Sequence, residues 1–205
     1  GGGESFCAGA DLQWMKRTLA LGRKENIQDA KTLANLLFVL DRFPKPLVGV
    51  IQGPAYGGGV GLVAVCDIAI ASENAFFSMT EVRLGLIPAV ISPFVVRAIG
   101  TRHARRFILT GERFSAQEAM RIGLIHEVVK PSALEECCSL FVSMIQKGGP
   151  NALAKAKNLI SEIDTTPISH DLMSDLAERI ADLRVSNEGQ EGMNAFFEKR
   201  KPLWS

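Results

Sequence analysis

The sequence is short of several features that mark common functional classes. Lysine plus arginine (23) almost cancels aspartate plus glutamate (22), so the net charge of +1 gives no general attraction for nucleic acid or for an anionic membrane. Aromatic residues make up only 7% of the chain, and they do not interleave with basic residues as on a nucleic-acid-binding surface. The composition therefore argues against a nucleic-acid partner, and any anionic ligand must be held by local groups.

The four cysteines lack the spacing of a metal site or of a disulfide framework. Cys7 and Cys66 stand alone, whereas Cys137 and Cys138 are adjacent, which is a poor geometry for a mutual bridge. We therefore expect no metal, inert thiols and a reducing compartment, which places the protein in the cytoplasm.

The sequence also lacks a long apolar run. Glycines, prolines and Asp67 interrupt the apolar section from Leu47 to Ala71, so we expect no membrane span. With 205 residues, 47% of them hydrophobic, the chain can bury the core of one domain, or of one domain with an extension. The chain starts at Gly1 and not at methionine, and a tag remnant, a processed end and a missing upstream part all remain open.

Periodicity and breaker residues predict an α/β core followed by helices. The strand at 47–51, a helix at about 60–66 and the strand at 68–71 form a βαβ unit, which implies parallel strands and a right-handed crossover. We expect further strands at 76–79 and 124–129. Helices are expected at 12–21, 27–43, 134–146, 152–162, 171–184 and 188–199, with a break at 22–26 and three short helices between 92 and 123 that each end at a glycine. Pro131 divides the chain into residues 1–131 and 132–205.

The stretch from Gly53 to Glu81 carries the strongest chemical signal. Successive glycines before a helix point several backbone N–H groups at one spot, where the helix dipole adds partial positive charge. No Gly-Lys-Ser/Thr follows, and the GGGxG spacing does not match the dinucleotide fingerprint. Two interpretations stay open, an oxyanion hole for a thioester or acyl group and glycines that allow close helix–strand packing.

A single acidic residue, Glu81, ends this stretch among apolar neighbours. Such an environment raises a carboxyl pKa and suits a general acid or base near neutral pH. The alternative is a solvated glutamate in a turn, paired with Arg83.

Four motifs in order resemble the enoyl-CoA hydratase/isomerase (crotonase) superfamily: SFCAGADL, GPAYGGGVGLVAVCDIAIAS, FSMTEVRLGLIP and AQEAMRIGLIHEVV. The resemblance covers essentially the whole chain. It implies an α/β fold, a crotonase-like spiral of ββα turns followed by a C-terminal helical trimerisation region. It also implies a homo-trimer or a dimer of trimers, and that the N-terminal turns of the spiral are missing from this chain.

The resemblance also assigns roles to individual residues. The backbone N–H groups of Ala8 and Gly58 would bind the thioester carbonyl of an acyl-CoA substrate, with Glu81 as the catalytic carboxylate. Ala10, Asp11 and Leu12 would line the coenzyme A site, and Lys199 would reach the coenzyme A of a neighbouring subunit. Gly57, Gly61 and Pro88 would line the substrate pocket. Coenzyme A is then part of the substrate, and no separate cofactor is expected.

One position departs from the family pattern. Hydratases of the family carry a first glutamate where this chain has Gly61, which leaves Glu81 as a solitary carboxylate. The segment EVRLGLIPAVISPFVVRAIG is similar to the methylglutaconyl-CoA or carboxygeranoyl-CoA hydratase-like branch. We therefore expect a lyase that hydrates an α,β-unsaturated acyl-CoA, with a Δ3-Δ2 enoyl-CoA isomerase and a non-catalytic coenzyme A-binding protein as alternatives.

Overall fold

The computed structural model describes residues 1–204, which belong to two units. The first unit contains residues 1–43 and 47–139, and the second contains residues 44–46 together with the chain from residue 140 onward. The first unit holds both sheets, and the second is helical.

The strands of residues 1–204 form two three-stranded sheets, and the first four strands alternate between them. One sheet has the parallel order β1 (Val48–Ile51), β3 (Ile68–Ser72) and β6 (Glu127–Val129). In the other, β2 (Ala55–Tyr56) pairs in parallel with β4 (Phe76–Ser78), and β5 (Phe114–Ser115) is antiparallel to β4. Because successive strands return to the same two sheets, the chain forms the turns of a spiral. The predicted parallel pairing within the βαβ unit is confirmed by β1 and β3.

Five α-helices of the first unit surround these sheets. Their bounds are α1, Leu12–Thr18; α2, Arg23–Asp41; α3, Gly58–Ala64; α4, Ser92–Thr110; and α5, Ala116–Arg121. A short 3₁₀ helix covers Glu81–Leu84 and another covers Pro131–Ala133. The predicted glycine ends are confirmed, because Gly100, Gly111 and Gly123 all have positive φ, and Gly100 kinks α4 into two segments.

Two parts of the sequence prediction were wrong or incomplete. The break between the first two helices was predicted at 22–26 but lies at 19–22, since α1 ends at Thr18 and α2 begins at Arg23. Asn26 stabilises this start because its side-chain amide donates to the carbonyls of Leu21 and Gly22. Strands β2 and β5 were not predicted, because two residues are too few to show a period of two.

The hydrophobic core of the first unit lies between the sheets and helices α3 to α5. Phe107 and Phe114 stack with ring centroids 4.1 Å apart, and Phe77 lies 5.6 Å from Phe114. Leu37 of α2 and Val60 of α3 are completely buried in the same cluster. This packing fixes α3, whose first turn follows directly from β2.

The second unit consists of the end of α6 (Leu134–Ile145) and three further helices. These are α7, Pro150–Ile163; α8, His170–Val185; and α9, Asn187–Phe197. Ser169 and Ser186 cap the starts of α8 and α9 through their hydroxyl groups. Glu188 accepts from the backbone N–H groups of Asn151 and Ala152, which stabilises the start of α7. No helix in residues 1–204 is both long and apolar enough to cross a membrane.

The close contact between α3 and the start of α4 depends on Gly61. A Cβ atom at this position would collide with Ile91 Cγ2 and would lie 2.8 Å from Ile91 Cβ. We expect Gly61→Ala to lower the free energy of unfolding by about 1 kcal/mol. Overpacking costs about 1–3 kcal/mol, and exchanging glycine for alanine in a helix recovers roughly 0.8–1.0 kcal/mol.

Urea denaturation of Gly61→Ala, Ile91→Ala and the double variant measures this contact. The double variant should lose less free energy of unfolding than the two single variants lose together, because removing Ile91 Cγ2 makes room for the new methyl group. Gly58→Ala is the control in the same helix, since its Cβ would meet Leu33 Cδ2 at an ordinary 3.7 Å. If the two changes in the free energy of unfolding simply add, Gly61 and Ile91 do not pack against each other.

Candidate active site

The turn between β2 and α3 forms the centre of the site. Gly57 has φ +50° and ψ −118°, a conformation that side chains disfavour, and Gly58 is the first residue of α3. The N–H of Gly57 donates to the carbonyl of Ser78 at 2.9 Å, so this turn is tied to the end of β4. The N–H of Gly58 has no recorded acceptor within residues 1–204 and remains available to a ligand.

A second backbone segment runs beside this turn. The N–H of Cys7 donates to the carbonyl of Pro54 at 3.1 Å, and the N–H of Tyr56 donates to the carbonyl of Cys7 at 3.0 Å. A Cβ at Gly59 would lie 2.6 Å from Cys7 Cβ. This pairing brings Ala8, the next residue, alongside the glycine turn. In the described part of the chain, the N–H of Ala8 likewise has no recorded acceptor.

The carboxyl group of Glu81 lies against the same turn. A Cβ at Gly57 would be 2.9 Å from Glu81 Oε1, so only glycine leaves room for this carboxyl group. Glu81 Oε2 is buried and has no hydrogen-bond partner among the described atoms. Burial raises the pKa of the Glu81 carboxyl, and the residue's own backbone N–H lowers it by less. The result is a carboxyl group that holds its proton to higher pH than an ordinary glutamate.

The C-terminal end of α4 holds the backbone around Glu81. Ser78 is buried and its hydroxyl donates to the carbonyl of Gly111 at 3.1 Å. Arg83 donates from Nη2 to the carbonyl of Thr110 at 3.3 Å. Both bonds connect the last turn of α4 to the segment on either side of Glu81, which fixes the direction of its side chain.

The space next to Gly61 is filled by apolar side chains. Ile91 occupies the position that a Cβ at Gly61 would take, and Leu37 Cδ1 lies 3.5 Å from it. Pro88 is buried, and its carbonyl accepts from the N–H and the hydroxyl of Ser92, which forms the turn that delivers Ile91. The three atoms nearest to a Cβ at Gly61 therefore all belong to apolar side chains.

The remaining predicted site residues lie on the surface of the two units. Ala10, Asp11 and Leu12 are exposed and follow directly from Ala8. Asp11 caps α1, because its carboxylate accepts from the N–H of Trp14 at 2.7 Å. Lys199 is exposed in the second unit, just past the end of α9, and has a positive φ of +53°.

Two features of the site were not found in the sequence. Arg113 stacks over the rings of Phe76 and Tyr56, with its Cζ 4.8 and 5.7 Å from the ring centroids, and so covers the residue before the glycine turn. Ile91 fills the Gly61 position, and nothing in the local sequence of either residue links the two. The absence of a side chain at Gly61 was the one signal that a large neighbour had to fill the space.

Together these groups can perform proton-transfer chemistry beside a stabilised oxygen anion. Two free N–H donors from different segments can bind one carbonyl oxygen, and the adjacent carboxyl group can exchange a proton with a neighbouring carbon. Within residues 1–204 there is no cluster of three or more His, Cys, Asp or Glu side chains that could hold a metal.

Comparison with known proteins identifies the family of the chain. The family model described as enoyl-CoA hydratase/isomerase matches residues 1–205. The crystal structure of an enoyl-CoA hydratase from Shewanella pealeana is 47% identical with a TM-score of 0.96, over 99% of this chain and 76% of that chain. Pseudomonas aeruginosa AtuE is 38% identical with a TM-score of 0.93, over 100% of this chain and 79% of that chain.

A named hydratase is also similar to this chain in sequence. The short-chain-enoyl-CoA hydratase of Clostridium acetobutylicum is 34% identical over 207 residues, which cover 98% of this chain and 76% of that protein. The full-length family match, these similarities and the two-sheet spiral agree, and the chain belongs to the enoyl-CoA hydratase/isomerase family.

Proposed function

We propose that this enzyme hydrates the α,β double bond of an enoyl-CoA thioester, with Glu81 as the proton-transferring group. The observation that carries the proposal is the buried Glu81 carboxyl, whose Oε2 has no partner and whose Oε1 lies against the Gly57–Gly58 turn. The family to which the chain belongs and the hydratase names of its relatives support this reaction.

The backbone N–H groups of Ala8 and Gly58 would form the oxyanion hole. When water adds at the β-carbon, negative charge develops on the thioester oxygen, and two donors aimed at this oxygen stabilise it. A donor of this kind typically contributes about 2.7–4 kcal/mol to the transition state. Support comes from the pairing of Cys7 with Pro54 and Tyr56, since Ala8 follows Cys7 and Gly58 comes two residues after Tyr56.

Glu81 would complete the reaction by moving a proton. In hydration the oxygen of water bonds to the β-carbon and the α-carbon gains a proton, so a group that both accepts and donates protons is required. The raised pKa of Glu81 suits this exchange, because its two protonation states come closer in free energy near neutral pH.

A specific observation favours isomerisation as the second candidate. Ile91 and Leu37 fill the space beside Gly61, so the water molecule has a single protein carboxylate to orient it. A Δ3-Δ2 isomerase needs only one carboxylate, which takes a proton from one carbon of the acyl chain and returns it to another.

The proposal also covers the substrate's acyl group, the residues that contact its coenzyme A, and the oligomer. On the resemblance of the segment after Glu81, the substrate is a branched, carboxylated enoyl-CoA. Ala10, Asp11 and Leu12 would contact its coenzyme A, since they are exposed and adjoin the Ala8 donor. A homo-trimer or a dimer of trimers would bring Lys199 to the coenzyme A of a neighbouring subunit.

The role of Glu81 predicts the behaviour of Glu81→Gln. This variant keeps the size of the side chain but cannot exchange a proton, so turnover should fall by about 10²–10⁴-fold. Binding of acyl-CoA should remain close to that of the unchanged protein. Glu73→Gln is the matched control, because Glu73 is exposed in the β3–β4 turn. Unchanged turnover in Glu81→Gln would remove this residue from the mechanism.

Three substrates separate the candidate reactions. Crotonyl-CoA and 3-methylglutaconyl-CoA should lose their enoyl absorbance if the enzyme hydrates them, and a 3-enoyl-CoA should gain absorbance only if the enzyme isomerises it. If the 3-enoyl-CoA gains enoyl absorbance while the other two substrates lose none, the enzyme is an isomerase and not a hydratase. Binding without turnover of all three would leave a non-catalytic coenzyme A-binding protein.

The raised pKa of Glu81 predicts a pH dependence of stability. The folded state binds the Glu81 proton more tightly than the unfolded state, so the free energy of unfolding should fall as the pH rises from the ordinary glutamate pKa through the raised pKa. Glu81→Gln should lose this part of the decline, which urea denaturation across this pH range measures. An identical pH profile in both proteins would contradict the burial of the carboxyl group.

We expect Lys199→Gly to weaken the binding of acyl-CoA and to stabilise the fold. The positive φ of Lys199 at the end of α9 favours glycine, so Lys199→Gly should raise the free energy of unfolding by up to about 1 kcal/mol. If Lys199 contacts coenzyme A, the same variant should raise the KM for acyl-CoA while leaving kcat nearly unchanged. Lys201→Ala, which removes a nearby exposed cation, is the control. An unchanged KM in Lys199→Gly would exclude the contact.

A further inference from the structure

One face of α2 connects the two segments that carry the proposed oxyanion donors. Asp29, Leu33, Leu37 and Asp41 recur at intervals of four residues and therefore form a continuous stripe along the helix. Leu33 Cδ2 lies 3.7 Å from where a Cβ at Gly58 would stand, and Leu37 borders Gly61 in the same way. The middle of the stripe thus covers α3 at the Gly58 donor.

Each end of the stripe is tied to another helix by a carboxylate. Asp41 is buried and forms an ion pair with Arg97 of α4. At the other end, the indole Nε1 of Trp14 in α1 donates to Asp29 Oδ1 at 3.0 Å. The first contact fixes α2 to α4, and the second fixes α1 to α2.

The Trp14–Asp29 contact matters because little else holds α1. None of its residues is buried, and Leu12 and the adjacent Leu19 are 74% and 87% exposed. Within the described residues, the bond to Asp29 is the only side-chain hydrogen bond from α1 to another helix. Asp29 and Trp14 are themselves partly buried, which shields this bond from water.

The position of α1 bears directly on the Ala8 donor. Cys7 is anchored on one side of Ala8 by its pairing with Pro54 and Tyr56. On the other side, three residues separate Ala8 from the start of α1. The first of them is Gly9, which has φ +96°. The N-terminal side of Ala8 is therefore held by strand pairing, and its C-terminal side is held through α1.

We propose that Trp14 and Asp29 are positioning residues, whose hydrogen bond fixes α1 on α2 and so keeps the N–H of Ala8 aligned with that of Gly58. This proposal rests on the proposed function, in which both N–H groups bind the thioester oxygen. Neither residue contacts the reacting atoms. Without this hydrogen bond, the N–H groups of Ala8 and Gly58 are both still present but are no longer held in alignment.

Steady-state kinetics of paired variants test the proposal. Trp14→Phe removes the Nε1–H and keeps an aromatic ring, and Asp29→Ala removes the acceptor while favouring the helix. Each should lower kcat by about tenfold, since small misplacements of aligned groups cost this much or more, and should change KM little. The double variant should resemble either single variant.

The controls separate alignment from folding. Asp29→Asn keeps an acceptor oxygen and should restore most of the activity. Gln28→Ala alters the neighbouring exposed residue of α2 and should behave like the unchanged protein. Circular dichroism and thermal unfolding identify any variant that fails to fold, and Trp14→Phe then stands in for Asp29→Ala. Full kcat in both Trp14→Phe and Asp29→Ala would overturn the proposal.

A spectroscopic readout distinguishes this proposal from the proposed function. A conjugated dienoyl-CoA bound to Glu81→Gln should show a red-shifted absorbance, because the oxyanion donors polarise its carbonyl. Adding Asp29→Ala should reduce the shift at saturating ligand, whereas adding Gln28→Ala should not. No shift in Glu81→Gln itself would contradict the oxyanion hole. A full shift that survives Asp29→Ala would contradict only the role of Trp14 and Asp29.

Discussion

The site depends on how closely other parts of the chain approach the glycine-rich segment from Gly53 to Gly61. A Cβ at Gly53 would collide with the carbonyl oxygen of Glu4, one at Gly59 would meet Cys7, and one at Gly61 would meet Ile91. Native interiors have no spare volume for such atoms. The glycines therefore let the Ala8 segment, the Glu81 carboxyl and the start of α4 converge on a single turn.

This convergence explains why the site combines backbone donors with a buried carboxyl group. Two backbone N–H groups, those of Ala8 and Gly58, have no acceptor within residues 1–204, and the buried Glu81 Oε2 has no donor there. A buried carboxyl oxygen without a partner is costly in a protein interior and calls for an explanation such as a bound ligand. The family membership of the chain identifies the kind of ligand, an acyl-CoA.

Apolar side chains pack closely against Gly61. Ile91 and Leu37 make the surroundings of Gly61 apolar. Burial raises the pKa of the Glu81 carboxyl. The same stripe of α2 that supplies Leu37 also lies close to Gly58 through Leu33 and contacts α1 through Asp29, so one helix packs against both α3 and α1.

The sequence by itself determined the features that depend on neighbouring residues. It indicated the βαβ unit around α3, the glycine ends at Gly100 and Gly111, and the family, because turns and motifs are encoded within a few positions. It missed the two-residue strands β2 and β5 and the start of α2, where periodicity is too short or too polar to read. Only the tertiary structure decided that Ile91 fills the Gly61 position, that Arg113 stacks on Tyr56 and that Trp14 binds Asp29. These contacts join residues 15 to 57 positions apart, and packing of whole elements, not local preference, selects them.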